Sequence, residues 1–228
     1  MYFLSPLDIA LLAIAFAITM FAQFKVKNTF AKYSKLRSRS GITGAMVARN
    51  ILRSNGINDV PIEETRGMLS DHYDPIKKKL RLSNDIYHSS SVAALGVAAH
   101  EAGHAIQHHQ GYAPLSVRHG LFPIANLGSN LAMPLFFIGI IFSSGFLMDV
   151  GIYFFLAAVL FQVVTLPVEF NASKRALYQL EAGSYLSSDE IGAARKVLSA
   201  AALTYVAATA VAVLHLIRLL LIRGVGDD

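Results

Sequence analysis

Four stretches of this chain are apolar for long enough to cross a bilayer, and that leaves few folds open. The first, Pro6 to Phe24, is interrupted only by Asp8, Thr19 and Gln23. The second lies within Leu121 to Phe142, the third runs from Gly151 to Val168, and the fourth from Ala200 to Ile222. A helix needs about 20 apolar residues to span the hydrocarbon layer. Inside that layer each backbone polar group must be satisfied within its own segment, which selects helices. The alternative is burial in a large soluble core. With 54% of the 228 residues hydrophobic and only 15% charged, there is too little polar sequence to cover four such helices. The expectation is a mainly α, multi-pass protein of the cell membrane.

The first stretch reads as an uncleaved anchor, because no basic segment precedes it and no small-x-small site closes it. Lys25, Lys27, Lys32, Lys35, Arg37 and Arg39 follow, with no acid among them. By the positive-inside rule that flank is cytoplasmic. Beside a membrane helix a basic run meets anionic lipid, so the net charge of +5 implies the bilayer as partner and no nucleic acid. Lys174, Arg175, Arg195 and Lys196 agree with this sidedness. Arg218 and Arg223 do not, since a fourth span would carry them outside; alternatively the last helix lies partly at the interface.

The organisation expected is an anchor over 1–24, a polar domain over 25–120, and a membrane hairpin over 121–168 whose turn is Ser143 to Val150. A helix over 169–199 and a last span over 200–223 complete it. Within the polar domain, Gly41 to Ser54 places Ile42, Ala45, Met46, Arg49 and Arg53 in helical register, closed by Asn55-Gly56. Asp59 to Glu63 and Lys79 to Ser83 alternate like short strands, the second set off by Asp74-Pro75. A strand just before the next helix could offer an exposed edge to an extended peptide. Ser89-Ser90-Ser91 supplies N-cap candidates for that helix, which runs to about His109. The domain is therefore a small α+β unit.

That helix carries His100-Glu101-Ala102-Gly103-His104. Histidines four apart share a helix face, roughly 6 Å apart along the axis. Both can reach one zinc ion at about 2.1 Å, with Glu101 placed to deprotonate a metal-activated water. Two surface histidines by chance are the bland alternative. Val92 to Ala99 is nearly all Val, Ala, Leu and Gly, so these polar groups would be buried and would need partners. The chain has no cysteine, so nitrogen and oxygen must hold any metal.

A catalytic zinc takes three protein ligands and an open position. His108 lies about 12 Å along the helix from His100 and is too far; it is expected to be an exposed or hydrogen-bonded histidine. A metzincin would need Gly and His where Gln107 and Gln110 stand. Asp149 sits in the far turn of the hairpin. His119, Glu169 and Glu181 remain, and Glu169 is the first ionisable residue after the third span, although it could equally be an interfacial carboxylate paired with Lys174 or Arg175.

Longer motifs add to this. Asp71-His72-Tyr73-Asp74-Pro75, Arg81-Leu82-Ser83, the run Ser91 to Gln107, and Leu166-Pro167-Val168-Glu169-Phe170-Asn171-Ala172-Ser173-Lys174-Arg175-Ala176 resemble the YugP-type membrane zinc metallopeptidases over nearly the whole chain. That family is similar to the HtpX-like and prenyl-protein-processing proteases, which share the gluzincin pattern. There a Glu on a later helix completes the zinc site, with an Asp four residues on. The resemblance implies one zinc ion held by His100, His104 and Glu169, and a protein or peptide substrate. The position of the Asp is held by Ser173, which cannot act as a carboxylate partner to a ligating histidine. A hydroxyl, Asn171 or a backbone carbonyl would have to serve.

With zinc polarising the scissile carbonyl, Glu101 is the expected general base. The oxyanion needs a further donor; of Tyr73, His72, His119 and Arg175, the first choices are Tyr73 and Arg175. Two rivals stand beside a membrane-bound endopeptidase acting on the cytoplasmic face. One is a site-2-type intramembrane protease. The other is a non-catalytic scaffold with a closed zinc site, which would have no need of Glu101. Nothing in the sequence sets the oligomeric state.

Overall fold

The computed structural model describes residues 5–67 and 70–224. The described elements are α1 (Pro6–Tyr33), α2 (Gly44–Ser54), β1 (Ile62–Thr65), β2 (His72–Asp74), β3 (Lys79–Ser83), α3 (Asn84–Tyr87), α4 (Val92–His109), α5 (Ala113–Ile141), α6 (Gly145–Ala182) and α7 (Ser188–Gly224). The fold class is the one expected: mainly helical, with a small α+β part. Contacts divide the chain into two compact units, one of Met1–Gln23, Ser116–Pro167 and Thr204–Asp228, the other of Phe24–Leu115 and Val168–Leu203.

Four helices, α1, α5, α6 and α7, are long and apolar enough to cross a membrane. All four are longer than the apolar runs that announce them. Thus α1 continues through Lys25, Lys27 and Lys32 to Tyr33, and α6 continues past Val168 to Ala182. The sequence expectation of a separate helix over 169–199 is replaced by the C-terminal third of α6 and the start of α7. The reason is that a change of polarity does not end a helix, whereas a backbone reversal does. The reversals come at Ser143 and Ser184, whose φ values are +51° and +53°. Pro123, Pro134 and Pro167 lie inside helices, as membrane helices tolerate.

In the first unit Phe136, Met148, Ile152, Leu219 and Ile222 form a buried cluster. A side chain at Gly151 would meet the Ala132 carbonyl at 2.8 Å, so α5 and α6 approach closely over small residues. Phe16, Phe21 and Tyr153 are exposed, as lipid-facing positions are. Asp8 pairs with Arg218 through both carboxylate oxygens, and Arg223 Nε donates to Asp149 at 2.8 Å.

In the second unit the sheet order is β1-β3-β2, with β1 parallel and β2 antiparallel to β3. Here two expectations change. The first strand lies at Ile62–Thr65 rather than over 59–63. The strand just before the motif helix, β3, is central, so the edge strands are β1 and β2. Leu80 and Leu82 alternate inward from β3 and are fully buried. On α2 the buried face is Ala45, Ala48, Ile51 and Leu52, whereas Met46 is exposed. Gly56, at φ +76°, closes α2 in the left-handed conformation that favours glycine. Together with Leu95, Ala98, Ala102 and Ile106 of α4 these residues form one core. Ser91 is the N-cap of α4, its hydroxyl accepting from Ala94 N.

Candidate metal centre

The sequence motifs Asp71 to Pro75 and Arg81 to Ser83 prove to be the two sides of one hairpin. Asp71 Oδ1 accepts from Ser83 N at 2.7 Å and from its hydroxyl at 3.0 Å. Arg81 Nη1 donates to Asp74 at 3.2 Å. Their purpose shows at Tyr73, whose backbone N–H donates to Glu101 Oε2 at 3.0 Å. Successive N–H groups on a strand face opposite edges, so this donor is the outward one of edge strand β2. Glu101 is 8% exposed and thus held by the sheet from one side.

The other side of α4 approaches α6 closely at Gly103. A side chain added at Gly103 would lie 2.7 Å from the Ala172 carbonyl oxygen. The motif glycine therefore sets the separation at which Glu169, one turn before Ala172, reaches both histidines. Glu169 Oε2 lies 3.2 Å from His100 Nε2 and 3.5 Å from His104 Nε2. A tetrahedral ion with bonds of about 2.1 Å separates its ligand atoms by roughly 3.4 Å, so this spacing fits zinc. Among the described residues His100, His104 and Glu169 form the only group of three candidate ligands, their ligand atoms all within 4.8 Å of one another. Two imidazoles and a carboxylate are also a borderline donor set of the type zinc prefers. Gly103→Val is expected to lower zinc affinity by at least about tenfold through displacement of α6, on the scale seen when ligand-orienting contacts are lost; chelator competition measures it. Unchanged affinity in a folded variant would refute this role for the glycine.

Charge in the site points the same way. Burial disfavours a charged His104, but the hydrogen bond to Glu169 and the charges of Glu101 and Glu169 outweigh it, and its pKa is raised. The site calls for positive charge.

The outer nitrogens are held as well. His100 Nδ1 lies 3.2 Å from Ser173 Oγ, so a hydroxyl stands where the relatives of the resembled family have Asp. His104 Nδ1 lies 3.0 Å from Gln107 Oε1. Gln107, fully buried, entered the sequence reading only as a departure from the metzincin pattern. A buried amide three residues after a candidate ligand was the signal that could have found it.

The remaining candidates have other partners. Tyr73 hydroxyl lies 2.8 Å from His108 Nδ1, which makes His108 the hydrogen-bonded helical histidine expected. Burial, and then the charges of Asp59 and Asp74, push the Tyr73 phenol up to about 12. Arg175 donates to Asn171 Oδ1 at 2.7 Å and to Gln110 Oε1 at 2.6 Å. His72 Nδ1 lies 2.7 Å from Ser70 O. Glu181 is exposed, and Asp149 is paired with Arg223.

Residues 8–224 match the family described as "Putative neutral zinc metallopeptidase". Over 214 residues, 94% of this chain and 95% of the relative, the sequence is 48% identical to "Putative membrane protease YugP" of Bacillus subtilis (strain 168). No solved structure matches. With the match running through both ends of a two-histidine, one-carboxylate centre, the chain belongs to the family of neutral zinc metallopeptidases, a class of zinc-dependent hydrolases.

Proposed function

We propose that this protein is a membrane-bound zinc endopeptidase in which His100, His104 and Glu169 hold the metal and Glu101 is the general base. The observation that carries the reading is the convergence of three ligand atoms, on His100, His104 and Glu169, beside a second carboxylate, Glu101. Zinc in such a site acidifies a bound water and polarises the scissile carbonyl. Glu101 accepts the proton of the attacking water and returns it to the leaving amine. The Tyr73 N–H fixes one of its oxygens, leaving the other as acceptor. Tyr73 is the better candidate for the oxyanion donor: its phenol keeps its proton and is bonded to a single side chain, His108, whereas Arg175 donates to both Asn171 and Gln110.

Three ligands leave a position open, which favours catalysis over a closed structural site. The helix α4 is not among the four apolar enough to span, which disfavours the intramembrane rival. In the test, the purified full chain cleaves an unfolded protein, loses the activity on chelation and regains it with Zn²⁺. Cleavage that survives exhaustive chelation would refute the reading.

The zinc domain is assigned to the cytoplasmic face. Arg218 and Arg223, which oppose this by the positive-inside rule, are ion-paired with Asp8 and Asp149 and are two against the ten basic residues on the zinc-domain flank. Lys25, Lys27, Lys32, Lys35 and Arg37 follow the first span with no acid among them, which places that flank in the cytoplasm. The chain lacks native cysteine. A single Cys at exposed Asn58 should resist an impermeant maleimide in intact cells and react after lysis, whereas one at Ser143 should react in both. Labelling of the Asn58 site from outside would invert the topology.

A further inference from the structure

We infer that Gln107 is a positioning residue that locks His104 in the tautomer with the proton on Nδ1, leaving Nε2 bare toward Glu169. The inference rests on the metal site proposed above, but its logic is independent of any ion.

The orientation is forced in series from the far end. Arg175 can only donate hydrogen bonds, so the Asn171 atom 2.7 Å from its Nε is the amide oxygen. That oxygen, and the Val168 carbonyl, can only accept. The Gln107 atom lying 3.0 Å and 2.8 Å from them must therefore be the NH₂ group. The Gln107 oxygen is then the atom turned to His104, 3.0 Å from Nδ1. An amide oxygen cannot donate, so Nδ1 must carry the hydrogen. Gln107 and Val168 are fully buried, which makes a flipped amide costly: it would set the Gln107 oxygen against two acceptors, the Val168 carbonyl and the Asn171 oxygen.

The two histidines differ in this respect. The partner of His100 is the Ser173 hydroxyl, which donates and accepts equally well and dictates no tautomer. The protein thus commits one ligand through a four-residue relay and leaves the other adaptable. The relay also gives Arg175 a role remote from the reacting atoms.

The test uses the full-length protein in detergent, labelled with ¹⁵N-histidine, metal-free and at alkaline pH, with Zn²⁺ affinity measured separately by chelator competition. Wild type should show His104 as a single Nδ1–H tautomer. Gln107→Met should give a tautomer mixture and about 10–100-fold weaker Zn²⁺ binding. Gln107→Glu should lower thermal stability, because a carboxylate oxygen then faces the Val168 carbonyl, yet keep the tautomer. That separation distinguishes positioning from packing. A folded Gln107→Met with unchanged tautomer and affinity overturns the inference, as does a tautomer mixture in Gln107→Glu. If Gln107→Met does not fold, Arg175→Met is read instead: partial mixing supports the relay, and an unchanged single tautomer overturns it. A wild type that shows the locked tautomer but takes up no Zn²⁺ would refute the metal reading and leave this one standing.

Discussion

Replacing Glu101 by Gln should reduce peptide hydrolysis by about 10²–10⁴-fold, the usual contribution of a general base, while zinc remains bound. The amide keeps an oxygen to accept the Tyr73 N–H, at 3.0 Å in the native protein, so the contact between β2 and α4 survives. What it loses is the basic oxygen. The ligand atoms assigned to the metal, on His100, His104 and Glu169, are untouched, and zinc content should match wild type. Turnover near wild type in a purified, zinc-loaded variant would refute the base assignment. Loss of zinc together with activity would instead make Glu101 a ligand.

Glu169→Ala should have an effect as large through a different cause. It removes the one anionic ligand and leaves two imidazoles on α4, a set too weak to keep zinc against a chelator. The Lewis-acid contribution lost is on the order of 4 kcal/mol, or roughly 10³-fold in rate. Metal analysis and hydrolysis on the same sample measure both. Retention of stoichiometric zinc would transfer the third-ligand role elsewhere. The variant also has a pH signature. In the metal-free native protein the pKa of His104 is raised, so its protonation stabilises the fold. That contribution is complete below the unfolded-state imidazole pKa and disappears as pH rises through the raised value. Zinc uptake displaces the proton, so its affinity rises with pH over the same window. Glu169→Ala should flatten the first dependence, because the hydrogen bond to Glu169 is the largest of the effects raising the pKa.

The gap between apolar runs and helices is instructive. Hydropathy reports where a helix would leave lipid, not where it stops. Nothing in Lys25-Val26-Lys27 or Val168-Glu169-Phe170 breaks a helix, so α1 and α6 carry on. For α6 this continuity matters to the site, because Glu169 lies on the same helix that carries the third apolar stretch. Strand β2 was illegible for the opposite reason. His72-Tyr73-Asp74 has neither alternation nor length, and it becomes a strand only through the Asp71–Ser83 and Arg81–Asp74 bonds to β3.

The sequence by itself determined what periodicity and chemistry dictate locally. It specified four apolar helices, N-cap candidates for α4 at Ser89 to Ser91, two histidines on one face of that helix with Glu101 between them, and a nitrogen-and-oxygen donor set in a chain without cysteine. Each follows from residues within a few turns of one another. Only the tertiary structure decided which strand edge borders Glu101, that a serine and a glutamine hold the outer nitrogens of the histidines, and that Asp8 and Asp149 pair with the two discordant arginines. These contacts join residues up to 210 positions apart. They depend on the separation of packed helices, which for α4 and α6 is set by the bare backbone contact of Gly103 with Ala172, and no local pattern encodes such a distance.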